Sequence, residues 1–197
     1  MSSPDSDTIA SAAKIDIFDS KGNKLPFGNL FSSSKTIVVF IRHFFCGSCQ
    51  AYVSQLAGVS ESALAEASTK LVIIGCGDWS LIEGYKKDTG FKGDIYAEPS
   101  RDLYQKLGMS CNLNLTPAGQ QKRSYVRPYW ANVLKSFWNA VVFHPLQAFT
   151  GKQGKVSQNG GDFVFGPGNT CEFAHVMEHT EDHVEVADLM KAAGVKV

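Results

Sequence analysis

Residues 36–41 (Thr-Ile-Val-Val-Phe-Ile) are a short apolar, β-rich run, the pattern of a strand buried on both faces. Almost at once the periodicity changes. From Gly47 to about Val59 the apolar residues Tyr52, Val53, Leu56 and Ala57 fall on one face of a helix. A buried strand that hands directly over to a helix belongs to an α/β architecture, and the rest of the chain repeats the theme. Leu71–Ile74 reads as a second buried strand, Trp79–Thr89 as a helix stopped by Gly90, Asp94–Ala97 as a short strand, and Arg101–Leu107 as a helix closed by Gly108. Residues 14–18 followed by the turn chemistry of Asp19–Lys24 predict an N-terminal hairpin. Asp162–Phe165 and Cys171–Val176, joined through Gly-Pro-Gly-Asn, predict a second one. A last helix is expected from about Thr180 to Ala193, with Asp182 near its start as a cap. Asp78 likewise reads as an N-cap.

An antiparallel hairpin beside parallel βαβ units is what the mixed sheet of a thioredoxin-like fold requires, although the strand count alone also permits a small doubly wound sheet. One domain over residues 1–197 is expected, with 1–13 as a flexible tail and 117–157 as a helical insertion before the C-terminal hairpin. Within that insertion, Tyr125, Tyr129, Trp130, Phe137, Trp138 and Phe143 form an aromatic stretch. It reads as core packing, as a cover or dimer contact, or as a surface resting on lipid.

The chemistry is concentrated where the first strand meets the helix, in Cys46-Gly47-Ser48-Cys49. A cysteine at a helix N-terminus faces unpaired backbone N–H groups and the positive end of the helix dipole, both of which favour thiolate. Arg42 and His43, just upstream, add positive potential or a group able to take up a proton. Cys49 lies three residues on, close enough to attack an adduct formed on Cys46. Two other readings stay open: a structural buried pair, or half of a zinc site completed by Cys171, His175, His179 or His183. Of the remaining thiols, Cys76 and Cys171 read as packing, and Cys111 as an exposed thiol open to oxidation or to an intermolecular bridge. His175 and His183 read as hydrogen-bonded histidines or as support for the site.

Composition narrows the partners. Nineteen basic and nineteen acidic residues leave no net charge, so nothing recruits nucleic acid or an anionic membrane. No apolar run approaches the roughly 20 residues needed to cross a bilayer. The polar, acidic N-terminus does not resemble a secretory signal. Five cysteines cannot all pair within one chain, which points to a reducing, cytoplasmic location.

Several blocks together resemble the peroxiredoxin-like 2 group of the AhpC/TSA antioxidant superfamily. They are Val38–Val53 (VVFIRHFFCGSCQAYV), Val72–Trp79 (VIIGCGDW), Tyr96–Pro99, Leu103-Tyr104, Leu107-Gly108, Gln158–Gly168, Phe173–His175 and Thr180–His183. The resemblance spans most of residues 14–195 and is weakest over 117–157. It implies a thioredoxin-like fold and thiol-based redox activity without an organic cofactor or metal. The implied substrate is a disulfide or peroxide, small-molecule or protein. The implied electron donor is glutathione or a thioredoxin-type protein, and the chain would be a monomer or homodimer. Peroxiredoxins carry Pro-x-x-x-Thr-x-x-Cys, whereas this chain has Val39 and His43 at the proline and threonine positions. Where thioredoxin places a cis-proline facing its dithiol, this chain has Gly160 and Gly161, expected to let substrate approach the backbone. The expected activity is therefore thiol–disulfide exchange with Cys46 as nucleophile and Cys49 as resolving thiol. The alternatives are a thiol peroxidase acting on hydroperoxides or endoperoxides, and a non-catalytic redox sensor or interaction module.

Overall fold

Strand β3 (Lys35–Ile41) carries the buried run, and every residue after Lys35 is buried. Its side chains alternate between two cores. Ile37, Val39 and Ile41 enter one cluster; Val38 and Phe40 enter the other. Each side chain so buried contributes about 1.5–3 kcal/mol, so a strand of this composition has to lie at the centre of its sheet. In the computed structural model, which describes residues 3–126 and 151–196, it does.

The other strands are β1 (Asp16–Phe18), β2 (Lys24–Pro26), β4 (Thr69–Gly75), β5 (Asp94–Ala97), β6 (Gly161–Gly166) and β7 (Thr170–Val176). They form one mixed sheet in the order β2-β1-β5-β4-β3-β6-β7. Strands β3, β4 and β5 are parallel, with Ile37 opposite Leu71 and Ile73 opposite Ile95. Strand β6 is antiparallel to β3, with Val39 opposite Asp162, and β7 returns antiparallel to β6. The helices among the described residues are α1 (Ser6–Ala12), α2 (Gly47–Leu56), α3 (Glu61–Glu66), α4 (Ile82–Thr89), α5 (Asp102–Lys106) and α6 (Val186–Ala192). One core takes Tyr52, Val53 and Leu56 of α2, Ile82 and Tyr85 of α4, and Leu189 and Met190 of α6. The other takes Ile9 and Ala12 of α1 and Leu103 and Tyr104 of α5. This is the mixed sheet flanked by helices that the pattern of elements predicts. No helix among the described residues is long and apolar enough to cross a membrane.

Three elements differ from expectation. Helix α1 lies inside the stretch read as a tail; Asp5 caps it by accepting from Thr8 N, and Ile9 and Ala12, three apart, are buried. Helix α3 is additional, and none of its residues is fully buried, so it leaves no apolar period to read. The last helix begins at Val186 rather than near Thr180. Residues 180–184 are buried but not helical. Backbone N–H groups just before this stretch and at its end bond to carboxylates instead, Glu178 N to Asp182 at 2.9 Å and Val184 N to Asp162 at 3.0 Å. Asp182 therefore does not cap a helix. Asp78 does act as expected, accepting from Ser80 N at the start of the 3-10 turn Trp79–Leu81. Of the expected insertion, residues 117–126 and 151–157 are turns and loops. Tyr129, Trp130, Phe137, Trp138 and Phe143 lie outside the described residues.

Candidate active site

The C-terminal end of β3 delivers Arg42 and His43 into a turn, and Cys46 caps α2. Its backbone is extended (φ −74°, ψ 110°), and its sulfur accepts from Cys49 N at 3.3 Å. The turn is held by Cys46 N donating to His43 O at 3.1 Å and by the Gln50 side chain donating to Phe44 O at 3.3 Å. Phe44 folds back so closely onto β4 that a Cβ on Gly75 would lie 2.5 Å from its ring, so glycine is required there.

Three donors converge on the Cys46 sulfur. The Cys49 thiol donates at 2.8 Å, the Cys49 amide at 3.3 Å and the Arg42 guanidinium at 3.5 Å. The Cys49 thiol bond, with help from the Arg42 charge, outweighs burial and holds the Cys46 thiol well below its ordinary pKa. Cys49 is displaced the opposite way, by burial first and then by donating to Cys46 and facing its charge. The arrangement thus favours negative charge on Cys46 over Cys49. Both cysteines are buried, Cys46 at 4% exposure and Cys49 at 0%.

Arg42 is fixed from its other side, donating to Val156 O at 2.7 Å. The segment carrying Val156 packs over the turn, with Phe44 N donating to Gln153 O at 3.2 Å and Asp78 N to Lys152 O at 2.7 Å. His43 is buried, and burial, reinforced by the Arg42 charge, pushes its imidazole down to about 4. It is neutral at neutral pH, which leaves Arg42 as the cation that donates to Cys46 among the described residues. His43 Nδ1 has no hydrogen-bond partner among the described residues.

Gly160 immediately precedes β6 and Gly161 begins it, opposite Phe40. A Cβ on Gly160 would lie 1.8 Å from Phe40 O, so the close approach it permits is between β6 and β3. Its next neighbour is the Met177 sulfur, and those of Gly161 are His175 O and the Phe163 ring. The two glycines thus have a packing reason of their own.

The other thiols sort by surroundings. Cys76 is buried, donates to Arg42 O at 2.8 Å, and is pushed up to about 12 by burial. Cys171 is partly buried, donates to Phe173 O at 3.1 Å, and is pushed up to about 11 for the same reason. Cys111 is exposed and donates to the Gln158 side chain at 3.2 Å. His175 lies on β7, while His179 and His183 follow in non-helical chain, so their spacing of four does not create a shared helical face. No group of three His, Cys, Asp or Glu side chains among the described residues is arranged to hold a metal.

His175 and His183 make separate polar links. His175 Nε2 lies 3.2 Å from the Asp182 carboxylate, which holds that carboxyl down at about 2 despite its burial. His183 Nδ1 lies 2.9 Å from Asp162 Oδ1, with both side chains fully enclosed. The His183 ring stacks on Tyr52 at 4.4 Å and 6°, and His183 N donates to the Tyr125 hydroxyl at 2.8 Å. Tyr52 lies three residues after Cys49, so this assembly fixes α2 against β6. Sequence reasoning missed Asp162 and Tyr52 as partners. The available signal was an aspartate opening the otherwise apolar run Asp162-Phe-Val-Phe, where a buried carboxylate needs a donor.

The AhpC/TSA antioxidant enzyme family matches residues 55–179, a range that begins just after the dithiol turn. Over 197 residues the chain is 36% identical to human Peroxiredoxin-like 2C, covering 99% of this chain and 85% of the relative. Among solved structures, Peroxiredoxin Q of Xanthomonas campestris superposes with a TM-score of 0.59 at 9% identity, covering 98% of this chain and 93% of that one. Peroxidoxin BcpB of Mycobacterium tuberculosis gives 0.58 at 11% identity, with 91% and 89% covered. At such identities the two superpositions establish a shared fold.

Proposed function

The chain belongs to the peroxiredoxin-like branch of the AhpC/TSA antioxidant enzyme family, a family of redox proteins, and from that premise we propose that it is a thiol–disulfide oxidoreductase using Cys46 and Cys49. The observation that carries this reading is the division of labour within the pair. Cys46 gathers three hydrogen bonds at its sulfur, while Cys49, fully buried 2.8 Å away, is the thiol that donates one of them.

The Cys46 thiolate attacks one sulfur of a substrate disulfide R–S–S–R′. A Cys46–S–S–R bond forms, and R′S⁻ departs with the electron pair of the broken bond. Cys49 then attacks Cys46, closing the Cys46–Cys49 disulfide and releasing the second thiol. The substrate is thereby reduced by two electrons. Glutathione or a thioredoxin-type protein returns the dithiol to its reduced form in a reducing cytoplasm.

Family membership favours a second substrate class, hydroperoxides. There the thiolate attacks the terminal oxygen of R–O–O–H, an S–O bond forms as O–O breaks, R–O⁻ leaves with the electron pair and is protonated to the alcohol, and Cys49 condenses with the sulfenic acid to release water. Val39 and His43, at the positions of the peroxiredoxin proline and threonine, place disulfides first.

Paired rapid-mixing experiments separate the two classes. The reduced protein should attack an aromatic disulfide at a rate that falls less from about pH 8 to about pH 6 than that of a free thiol, because the Cys46 pKa is depressed. A free thiol near pKa 8.5 loses roughly 80-fold of its thiolate over that range. Oxidation by hydrogen peroxide should proceed no faster than for free cysteine. A fast peroxide reaction with a sluggish disulfide reaction would assign the protein to the peroxidase class instead.

A further inference from the structure

Residues 151–157 hold their place without burial. None of them is buried and Val156 is 49% exposed, whereas the chain that follows, from Gln158 to Gly166, is enclosed. Their carbonyls accept instead from the body of the fold. Lys152 O accepts from Asp78 N at 2.7 Å, Gln153 O from Phe44 N at 3.2 Å, and Val156 O from the Arg42 guanidinium at 2.7 Å. The backbones meet closely: a Cβ on Gly77 would lie 2.6 Å from both Lys152 O and Gln153 O, and one on Gly154 would lie 2.7 Å from Cys76 O. Along the same segment a cleft of about 430 Å³ opens between Cys76, Asp78, Pro99, Lys152 and Lys155. The Lys152–Asp78 ion pair, 4.0 Å apart and partly exposed, adds little. A segment tied by hydrogen bonds, with no side chain in the core, lies at the low end of the local stabilities within a fold.

The tie through Val156 is made to a charge. Arg42 is 7% exposed, and its guanidinium donates to the Cys46 sulfur at 3.5 Å as well as to Val156 O. Its Nε is buried with no partner among the described residues. None of the ion pairs among the described residues involves Arg42, so the Cys46 sulfur is the group bonded to it that can carry the opposing charge. Drawing Cys46 into a disulfide removes that charge and leaves a buried cation uncompensated, which is costly. Water admitted beside the guanidinium relieves the cost, and the unburied segment bonded to it is the wall that yields.

We infer that residues 151–157 form a strap latched by Arg42, held closed while Cys46 carries negative charge and released when Cys46 enters a disulfide. The latch rests on the dithiol reading of Cys46 and Cys49. In that exchange the dithiol gives two electrons and two protons to the substrate disulfide, and the latch requires no further reagent. Release opens the surroundings of Arg42 in the oxidised protein, the form that has to meet its electron donor. Reduction restores the charge and closes the strap. The coupling is reciprocal, so a closed strap also favours negative charge on Cys46.

Amide hydrogen exchange, resolved residue by residue in the whole protein, reads the strap through Asp78 N, which bonds to Lys152 O. Exchange there should be about tenfold or more faster in the Cys46–Cys49 disulfide form than in the reduced protein, the factor expected for loss of one hydrogen bond to a charged group. Cys46→Ser, which lacks the anion without any oxidation, should exchange as fast as the oxidised form. Arg42→Met should exchange fast in both redox states. The amides of β3 and β4 should be unchanged throughout. Exchange at Asp78 N in Cys46→Ser within about twofold of the reduced wild type overturns the latch. An equal rise across β3 and β4 overturns it too, by showing a general loosening. If intact mass shows that oxidation makes no Cys46–Cys49 bridge, the dithiol reading fails, and Cys46→Ser still decides the latch.

Discussion

Cys46→Ser should abolish turnover, lowering it by about 10³-fold or more, because a hydroxyl in place of a thiolate removes the nucleophile outright. Cys49→Ser should behave differently. Attack by Cys46 survives, but the adduct is not resolved, so the protein is recovered with substrate thiol attached. The asymmetry follows from the opposite displacement of the two thiols, Cys46 held well below its ordinary pKa and Cys49 pushed well above it. Cys49→Ala keeps the helix amide that donates to Cys46 and loses the side-chain donor, which is the largest single cause of the Cys46 shift. Its first step should therefore lose reactivity as pH falls earlier than the wild type does. Alkylation rates across pH with intact-mass detection read both effects. If Cys49→Ser turned over at the wild-type rate, Cys49 would not be the resolving thiol.

The largest stability effect is expected at Asp162, far from any reagent. Its carboxylate accepts from Val184 N at 3.0 Å and lies 2.9 Å from His183 Nδ1, fully enclosed on the strand beside β3. Asp162→Ala removes both partnerships at once. A backbone N–H and an imidazole nitrogen are left buried without an acceptor, and a small void remains. Breaking such a buried pair costs about 3–5 kcal/mol. In a chain of this size that corresponds to a fall of roughly 10 °C in thermal midpoint. Because His183 stacks on Tyr52, one turn along from Cys49, the variant should also loosen α2 and slow thiol chemistry. Urea denaturation of the reduced protein gives the number, and a loss below about 1 kcal/mol would mean that the pair is not holding β6 to the following segment.

How far the sequence foretells this structure depends on distance along the chain. Strand β3, the Cys46-x-x-Cys49 junction and the β6–β7 hairpin are local patterns, and each is found where its residues predict. The segment 178–185 misled because its spacing suits a helix, while its carboxylates and Asp162 supply backbone acceptors of a different kind. No spacing rule connects Asp162 with His183 and Tyr52, since three separate elements bring them together. The fate of His43 was equally hidden: its place next to Arg42 suggests added positive charge, yet burial leaves it neutral. Tyr85 reads as an ordinary helix residue until its ring is found packed edge-on to Phe44 of the dithiol turn. The reactive pair is thus visible locally, whereas the groups that tune it come from tertiary packing.

The central claim is that Cys46 and Cys49 act on each other. Peptide mass mapping of the whole protein, after oxidation by one equivalent of a disulfide reagent, tests it most directly. The expected product is a single intrachain Cys46–Cys49 bridge, with Cys76, Cys111 and Cys171 still alkylated as free thiols. A bridge from Cys46 to Cys111, a disulfide between two chains, or a persistent adduct on Cys46 with Cys49 free would contradict it.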